Sequence, residues 1–191
     1  MQMQLLFLPE PESTFVFEIL FITFWVICHF FKEKRFTQWF LSLTGFKIER
    51  HMVISFLIGA GFSLAIVLIF GSTINPKLLD AVGMLHSIFI APVSEELFFR
   101  GMVVGVLLFL VERFYRDADF RWWFFVTLSV LSSSLFFSLM HGVLNWGLLV
   151  SGIIYACLYI WRRNVALPIS AHFGYNLVMW VHFTIFHLVS F

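Results

Sequence analysis

The sequence has little charge: only 12% of its 191 residues are Asp, Glu, Lys or Arg, whereas 61% are hydrophobic. A water-soluble domain of this length cannot hide so much apolar side chain in one core. The composition therefore excludes an ordinary soluble domain. The net charge of +1 leaves no basic excess to neutralise a phosphate backbone, so nucleic acid is not an expected partner.

Cysteine is also scarce. The two cysteines, Cys28 and Cys157, both lie inside apolar runs, which excludes the disulfide framework of a small secreted protein. We expect both to be buried structural thiols. Aromatic side chains, in contrast, make up 20% of the chain and include 27 Phe, which suits lipid-facing surface and packing between helices. This composition is typical of a polytopic membrane protein.

Six apolar windows approach the length that crosses a bilayer, about 20 residues. They predict an all-α, polytopic transmembrane helical bundle with one membrane-embedded domain over residues 1–191 and a motif-bearing core at about 81–190. The third window is overlong and contains Pro92, whose missing N–H and ring disturb the preceding turn, so we expect a long helix broken or kinked there. The windows are Thr14–Phe31, His51–Ser72, Ala81–Val111, Trp122–Met140, Asn145–Trp161 and Val165–Val189.

The positions of Lys and Arg predict the orientation, because cytoplasmic connections retain positive charge during insertion. Ten cations fall in the first, third and fifth connections, whereas only Lys77 lies on the opposite side and Arg100 lies within a window. Both termini should therefore face away from the cytoplasm. Two crossings in the third window would put one basic cluster on the wrong side, which favours six spans over seven. The ten cations are Lys32, Lys34, Arg35, Lys47, Arg50, Arg113, Arg116, Arg121, Arg162 and Arg163.

The third window carries three ionisable residues, Glu95, Glu96 and Arg100, among apolar neighbours. A charge inside a membrane is costly and is kept mainly where it pairs or faces a polar cavity. In a helix Glu96 and Arg100 are four residues apart and can form an ion pair, whereas Glu95 points about 100° away. The pair is either a buried strut or part of a site, and Glu95 has no local partner.

Two later windows each carry polar side chains on one helical face. Phe137 and His141 close the fourth window, where His141 is either an interfacial histidine or part of a site. His172 and Asn176 lie about two turns into the sixth window, where they either join two helices or belong to a site. Together with Glu95, these groups could activate a water and stabilise an oxyanion, which indicates hydrolysis.

Other conspicuous residues are predicted to be structural. Glu18 lies one or two turns inside the first window, where it can reach the interface, and we expect an interfacial or packing role for His86. Gly59 and Gly101 are each followed four positions later by another small residue. This spacing predicts close packing between helices.

Three motifs resemble the signature of the CPBP intramembrane proteases, the group of the type II CAAX prenyl proteases and related bacterial proteins. The family pattern is EExxxR, then FxxxH, then HxxxN or HxxxD. This chain has EELFFR at 95–100, FSLMH at 137–141 and HFGYN at 172–176, each in an apolar window. The region of resemblance runs from about Ala81 to Asn176. The resemblance implies a membrane-embedded helical protease.

The resemblance also implies a role for each matched residue. Glu95 would activate water for cleavage of a peptide bond, and His141 would assist at that water. His172 and Asn176 would form the oxyanion hole. The ion pair of the neighbouring glutamate and arginine would organise the site.

A metal is a separate question, because the family was first described as metalloproteases and later argued to be glutamate-type proteases. Glu95, His141 and His172 could form a zinc site of two histidines and one carboxylate with an open position. The ligands are not in an HExxH arrangement. We therefore favour a site without metal or another cofactor.

The leading hypothesis is an intramembrane endopeptidase that cuts a membrane-bound or lipid-anchored protein, with the lipid bilayer as its other partner. One alternative is a non-catalytic membrane scaffold or immunity protein of the same family. Another is a proton or ion carrier, although the titratable groups cluster rather than form a path. The resemblance to compact bacterial members implies a multi-pass protein of the bacterial inner membrane.

Simple counting reveals a tension in depth. His141 lies near the non-cytoplasmic end of its window, whereas His172 lies nearer the cytoplasmic end of its own. We therefore predict that the fourth or sixth helix is tilted or offset. Imidazoles more than about 12 Å apart would contradict a shared site, since a single bridging water spans far less.

Overall fold

The computed structural model describes residues 11–30, 35–70, 81–115, 119–141 and 144–189, and every regular element in these ranges is helical, as predicted. Two π-helical segments, π1 (His86–Ile90) and π2 (Leu97–Val104), flank one short α-helix. The α-helices in chain order are α1 (Pro11–Phe30), α2 (Arg35–Thr44), α3 (His51–Phe70), α4 (Ala81–Leu85), α5 (Ala91–Glu96), α6 (Gly105–Phe114), α7 (Phe120–Met140), α8 (Trp146–Arg162) and α9 (Ala166–Val189).

The described parts of all six predicted windows fall on helices. Among the described residues, two helical stretches are long and apolar enough to cross a membrane, His51–Ile69 and Phe120–Met140, and two shorter apolar ones are Glu18–Ile27 and Trp146–Arg162. The helix α2, which lies in the first basic connection, was not predicted. Its ten residues are too few to span a bilayer, so the length of a span does not reveal it.

Residues 81–114 form one long helix, because α4, π1, α5, π2 and α6 follow one another directly. The backbone angles at Ile90, Glu96 and Val104, where these pieces meet, are all right-handed helical. The helix is therefore not broken at Pro92; what changes on either side is the hydrogen-bonding pattern, from α to π. Such π segments are frequent at functional sites. A kink at Pro92 stays a prediction.

Pro92 leaves one carbonyl of the long helix without its usual donor. At the end of π1 the N–H of Ala91 donates to the carbonyl of His86, five residues back. A π-type bond to the next carbonyl, that of Ser87, would need an N–H at Pro92, five residues later. Proline has no N–H, so the Ser87 carbonyl needs another donor. Nδ2 of Asn176 on α9 donates to it at 2.6 Å.

The helices α3 and α9 pack with their backbones in direct contact. A Cβ atom added to Gly59 would lie 1.8 Å from the carbonyl oxygen of Ala171, and one added to Gly174 would lie 2.4 Å from that of Phe56. This agrees with the close packing predicted from the small residue at 59. The contact holds α9, which carries His172, against α3.

The helix α8 packs between α7 and α9. Gly152 allows the approach to α7, since a Cβ there would lie 3.0 Å from the Cβ of Ser134. One apolar cluster around Tyr155 and Leu167 joins α3, α8 and α9. A second cluster around Leu97 joins the long helix to α7 and α8. The two clusters bring the three motif-bearing segments into one bundle.

Two connections that carry predicted cytoplasmic charge meet at one end of the bundle. Asn164, between α8 and α9, is fully buried; its Oδ1 accepts from the Lys47 N–H at 2.9 Å, and its Nδ2 donates to Lys47 O at 2.8 Å. Nδ2 also donates to Glu49 at 2.6 Å. Glu49 in turn binds His51 at 3.0 Å and Arg162 at 3.3 Å. We call this set of contacts the Asn164 clasp.

The two loops of the Asn164 clasp depend on left-handed backbone. Gly45 after α2 has a φ of 56°, and Arg163 after α8 has a φ of 50°. A Cβ at Gly45 would lie 1.8 Å from the Arg163 carbonyl oxygen, so this position has no room for a side chain. The Arg163 guanidinium binds Glu112 near the end of α6, which brings the start of the third connection to the same end.

The expectation of buried thiols is wrong for Cys157, which is exposed on α8. A thiol on the outer surface of a membrane bundle avoids water because it faces lipid. An apolar run therefore does not by itself predict that a side chain is buried inside the protein. The side chain of Cys28 lies outside the described residues.

Gly59→Ala tests the contact between α3 and α9. The added methyl group would force the two backbones apart, so we expect a loss of about 1–3 kcal/mol, seen as a lower unfolding temperature of the purified protein in detergent. Gly61→Ala is the matched control, because a Cβ at Gly61 meets nothing within 4 Å. Equal losses in both variants would contradict the close approach.

The Asn164 clasp predicts an acid dependence of stability. Hydrogen bonds from Asn164 and His51, together with the charge of Arg162, lower the pKa of Glu49 to about 2. A carboxylate with a lowered pKa stabilises the fold above its unfolded value of about 4.3, and this contribution disappears as pH falls through about 2.

We therefore expect the wild type to lose more thermal stability than Glu49→Gln between about pH 5 and about pH 2.5. Each protein is compared with its own unfolding temperature at neutral pH, so the general effect of acid cancels. The same loss in both proteins would show that Glu49 does not stabilise the fold as an ionised group.

Candidate active site

Glu95 lies in α5, and its Oε2 is buried without a hydrogen-bond partner among the described residues. Nε2 of His141 lies 3.8 Å from this oxygen, and Nε2 of His172 lies 4.0 Å from it. The two Nε2 atoms are therefore within about 8 Å of each other, below the limit of about 12 Å for a shared site. The structure brings one carboxylate and two imidazoles together.

Opposite ends of two helices supply the imidazoles. His141 directly follows the 21 residues of α7, whereas His172 is only in the second turn of α9. Helices that start at the same end of a bundle meet in this way only when one is offset or tilted relative to the other. The approach of His141 and His172 to the same carboxylate therefore requires a tilt or an offset of α7 or α9, as predicted.

His141 is oriented by the end of its own helix. Its Nδ1 lies 2.9 Å from the carbonyl oxygen of Phe137, in the last turn of α7. Because a carbonyl oxygen only accepts, Nδ1 carries the proton, and the neutral imidazole presents the lone pair of Nε2 to Glu95. The Phe137 carbonyl in the last turn of α7 therefore selects the tautomer of His141.

His172 is oriented by a carboxylate. Its Nδ1 lies 3.0 Å from Oε1 of Glu96, which is itself paired with Arg100. The Nε and Nη1 atoms of Arg100 lie 3.0 and 3.1 Å from the two oxygens of Glu96. A carboxylate held by a guanidinium accepts the Nδ1–H bond, so Nε2 of His172 is the atom that faces Glu95.

The pair of Glu96 and Arg100 is completely buried and forms the ion pair that is predicted for two residues four positions apart. Nη2 of Arg100 also donates to the carbonyl of Gly152 on α8 at 3.0 Å. Its guanidinium carbon lies 4.7 Å from the ring centre of Phe137 and 5.4 Å from that of Tyr155. The pair is thus a strut between helices, and it also positions an imidazole of the site.

Phe137, the first residue of the second motif, packs against both imidazoles. Only 1% of it is exposed, and its ring centre lies 4.8 Å from that of His141 and 5.8 Å from that of His172. Tyr155 stacks on His172 at 5.0 Å. The spacing of four residues puts Phe137 and His141 on one helical face, so the ring supports the imidazole from its own helix.

Asn176 lies in the same helix as His172 but contacts a different part of the long helix. Its amide donates to the Ser87 carbonyl, and Nε1 of Trp180, one turn later, donates to Ser87 Oγ at 2.6 Å. Asn176 therefore joins α9 to π1, which is the helix-joining alternative. The second N–H of the amide is not used by this bond, and the oxyanion role stays a prediction.

A second pair of a carboxylate and an imidazole was not predicted from the sequence. Glu18 on α1 is only 5% exposed and binds Nε2 of His86 in π1, so the expectation that it reaches the interface is wrong. The cost of an unpaired carboxylate in an apolar window predicts that a partner exists, but it does not identify the partner.

The zinc alternative requires closer ligands than this site has. Zinc binds nitrogen and oxygen at about 2.0–2.2 Å in a tetrahedron, which sets the ligand atoms about 3.4 Å apart. Glu95 Oε2 lies 3.8 and 4.0 Å from the two imidazole nitrogens. Within the described part of the chain, no three His, Cys, Asp or Glu side chains are arranged to hold a metal ion. The donor types suit zinc, but their spacing here does not fit it.

The buried Oε2 of Glu95 thus faces two oriented imidazoles. Residues 76–178 match the family model of the type II CAAX prenyl endopeptidases, Rce1-like. The match covers more than half of the chain and all three motifs, so the chain belongs to this family and is a membrane protein of a protease class. The resemblance to the CPBP proteases is thereby confirmed. No match was found among curated proteins or solved structures.

Removing one member of the buried ion pair tests its role as a strut. Arg100→Gln leaves Glu96 buried without its cation, for which we expect a loss of about 3–5 kcal/mol, measured as a lower unfolding temperature in detergent. The double variant Glu96→Gln/Arg100→Gln should lose less than Arg100→Gln alone, since no unpaired charge remains. If the loss in the double variant equals the sum of the losses in Glu96→Gln and Arg100→Gln, the two charges are not coupled.

Proposed function

We propose that this protein is an intramembrane endopeptidase in which Glu95 activates a water molecule for attack on a peptide bond. The observation that carries the proposal is the buried Oε2 of Glu95, which has no hydrogen-bond partner among the described residues and faces two imidazole nitrogens. The separations of 3.8 and 4.0 Å are too long for direct hydrogen bonds and suit a single water held between these atoms. The substrate is a membrane-bound or lipid-anchored protein.

In the proposed reaction Glu95 takes a proton from the water as the water oxygen bonds to the peptide carbon. The electrons of the C=O bond move to the carbonyl oxygen, which becomes an oxyanion. When this tetrahedral intermediate collapses, the C–N bond breaks and Glu95 passes the proton to the leaving nitrogen. The products are a carboxylic acid, which ionises, and an amine, so no further reactant is required.

The two histidines have different partners and, we infer, different roles. Nδ1 of His141 binds a neutral carbonyl, which suits a neutral imidazole that orients the water through Nε2. Nδ1 of His172 binds Glu96, and a carboxylate in this position stabilises an imidazolium. His172 is therefore the histidine suited to donate from Nε2 to the oxyanion, with the second N–H of Asn176 as an additional donor.

The proposed topology has six spans, with both termini on the non-cytoplasmic side of the bacterial inner membrane. Contacts between the basic connections support it. Lys47 of the first connection binds Asn164 of the fifth, and Arg163 of the fifth binds Glu112 next to the third. The described parts of the three basic connections thus lie near one another, which supports a common cytoplasmic side under the positive-inside rule.

Glu95→Gln tests catalysis while it keeps the size of the side chain. Loss of a general base typically costs about 10²–10⁴-fold in rate, so we expect protein fragments produced by the wild type to disappear from the membrane fraction of cells that express the variant. Mass spectrometry of new N- and C-termini measures this and identifies the substrate. Glu112→Gln, which removes an exposed carboxylate outside the site, should keep the fragments.

Two other outcomes would favour the alternatives. Identical fragment sets from folded and abundant wild type and Glu95→Gln would favour a scaffold or immunity protein. Proton flux in reconstituted vesicles that disappears in Glu95→Gln, without any cleavage, would favour a carrier. Treatment of the active protein with a strong zinc chelator addresses the metal separately, and we expect activity to persist.

A further inference from the structure

Tyr155 of α8 lies outside the three motifs and takes no part in the proposed chemistry, yet it contacts the candidate site directly. Its ring stacks on the imidazole of His172, with 5.0 Å between the ring centres and 22° between the planes. Only 1% of Tyr155 is exposed. Phe137 meets the same imidazole edge-on instead, at 5.8 Å and 81°. One face of His172 is therefore covered by the buried ring of Tyr155.

The position of this ring is set by a contact one turn earlier on α8. The carbonyl of Gly152 accepts from Nη2 of Arg100 at 3.0 Å. Residues three positions apart lie on the same side of a helix, so Tyr155 faces the long helix as well. The guanidinium carbon of Arg100 lies 5.4 Å from the ring centre of Tyr155. The hydrogen bond at Gly152 thus holds α8 where Tyr155 reaches His172.

The hydrogen bond of His172 does not by itself fix the plane of the imidazole. Nδ1 lies 3.0 Å from Oε1 of Glu96, and a single bond of this kind allows the ring to turn about the line between the two atoms. Such a turn would move Nε2, which faces Oε2 of Glu95 at 4.0 Å. A ring packed nearly parallel to the imidazole opposes the turn, because the turn would drive the two rings into each other. The stack therefore supplies the constraint that the hydrogen bond lacks.

We propose that Tyr155 is a positioning residue of the peptidase, whose ring holds the imidazole of His172 in the plane that directs Nε2 to Glu95 and to the oxyanion. The inference deepens the proposed function and rests on it. The ring carries this role, since the buried hydroxyl has no hydrogen-bond partner among the described residues. Tyr155→Phe therefore keeps the stack, whereas Tyr155→Leu removes it.

The test compares rates of cleavage in isolated membranes, with the Glu95-dependent fragments of the cellular substrate as the probe. Tyr155→Phe should cleave at the wild-type rate, whereas Tyr155→Leu should be about 10–100-fold slower per folded protein, as expected for a misaligned group in the site. The loss should persist when the substrate is expressed to saturation, as a fall in kcat with KM unchanged. Equal rates in Tyr155→Leu and the wild type would overturn the proposal.

Tyr159→Leu is the matched control. Tyr159 is on the same helix and is also 1% exposed, but its hydroxyl donates to the carbonyl of Leu43 and its ring belongs to the apolar cluster around Leu97. This variant should lose thermal stability in detergent and keep its rate per folded protein. The same loss of rate in Tyr159→Leu and Tyr155→Leu would show that Tyr155 only fills space.

A double variant separates an effect through His172 from a general one. His172→Ala should lower the rate about 10²–10³-fold, as for the loss of one oxyanion donor. The addition of Tyr155→Leu to His172→Ala should cost nothing further, because the ring then has no imidazole to hold. Rate losses that multiply in the double variant would contradict a role through His172.

A spectroscopic readout separates failure of this inference from failure of the proposed function. In purified protein with isotope-labelled histidine, the Nδ1–H signal of His172 is assigned by its loss in His172→Ala. This proton should exchange slowly with water in the wild type and in Tyr155→Phe, and faster in Tyr155→Leu. Absence of Glu95-dependent fragments would contradict the peptidase, whereas equal exchange in all three proteins would contradict the role of the ring.

Discussion

Neither Glu96 nor Arg100 has any exposed surface, and charges removed from water to this degree are tolerated only when they are paired and hydrogen-bonded. The other hydrogen bonds of this pair extend to other helices: Glu96 accepts from Nδ1 of His172 on α9, and Arg100 donates to the Gly152 carbonyl on α8. The position of one imidazole and the packing of three helices therefore depend on a single ion pair. Glu95, one residue earlier, turns to a different face, where it faces the two imidazoles.

Different kinds of contact hold the side chains of the candidate site in place. His141 is oriented by a carbonyl at the end of its own helix, and His172 by the buried ion pair. The Ser87 carbonyl that Pro92 leaves without a donor binds Asn176 and so holds α9 to π1. Proline and the π segments are thus part of how the long helix accommodates its neighbours, and Glu95 lies between them. In this arrangement Glu95 Oε2 faces the Nε2 atoms of the two imidazoles at 3.8 and 4.0 Å, and the proposed position of the water rests on these distances.

Periodicity and charge predicted much of the architecture. The all-helical class, the helix over the window Ala81–Val111 and the pairing of Glu96 with Arg100 follow from apolar run lengths and a spacing of four residues, which are local properties, whereas the break predicted at Pro92 does not occur. The short helix α2 was missed because it is shorter than a span. The fully buried Asn164 was missed because its partners, Lys47 and Glu49, are more than 100 residues away along the chain.

The candidate site is likewise predicted in part by the sequence and decided in part by the tertiary structure. Its residue types, their helical faces and their family pattern are present in the linear sequence, because a motif of four to six residues lies on one or two helical turns. Which atoms meet is decided by the tertiary structure: the pairing of Glu18 with His86, the bond of Asn176 to Ser87 and the approach of both imidazoles to Glu95 all join different helices. Such contacts depend on the offset and rotation of whole helices, which arise from close packing at positions such as Gly59 and Gly174 rather than from local spacing.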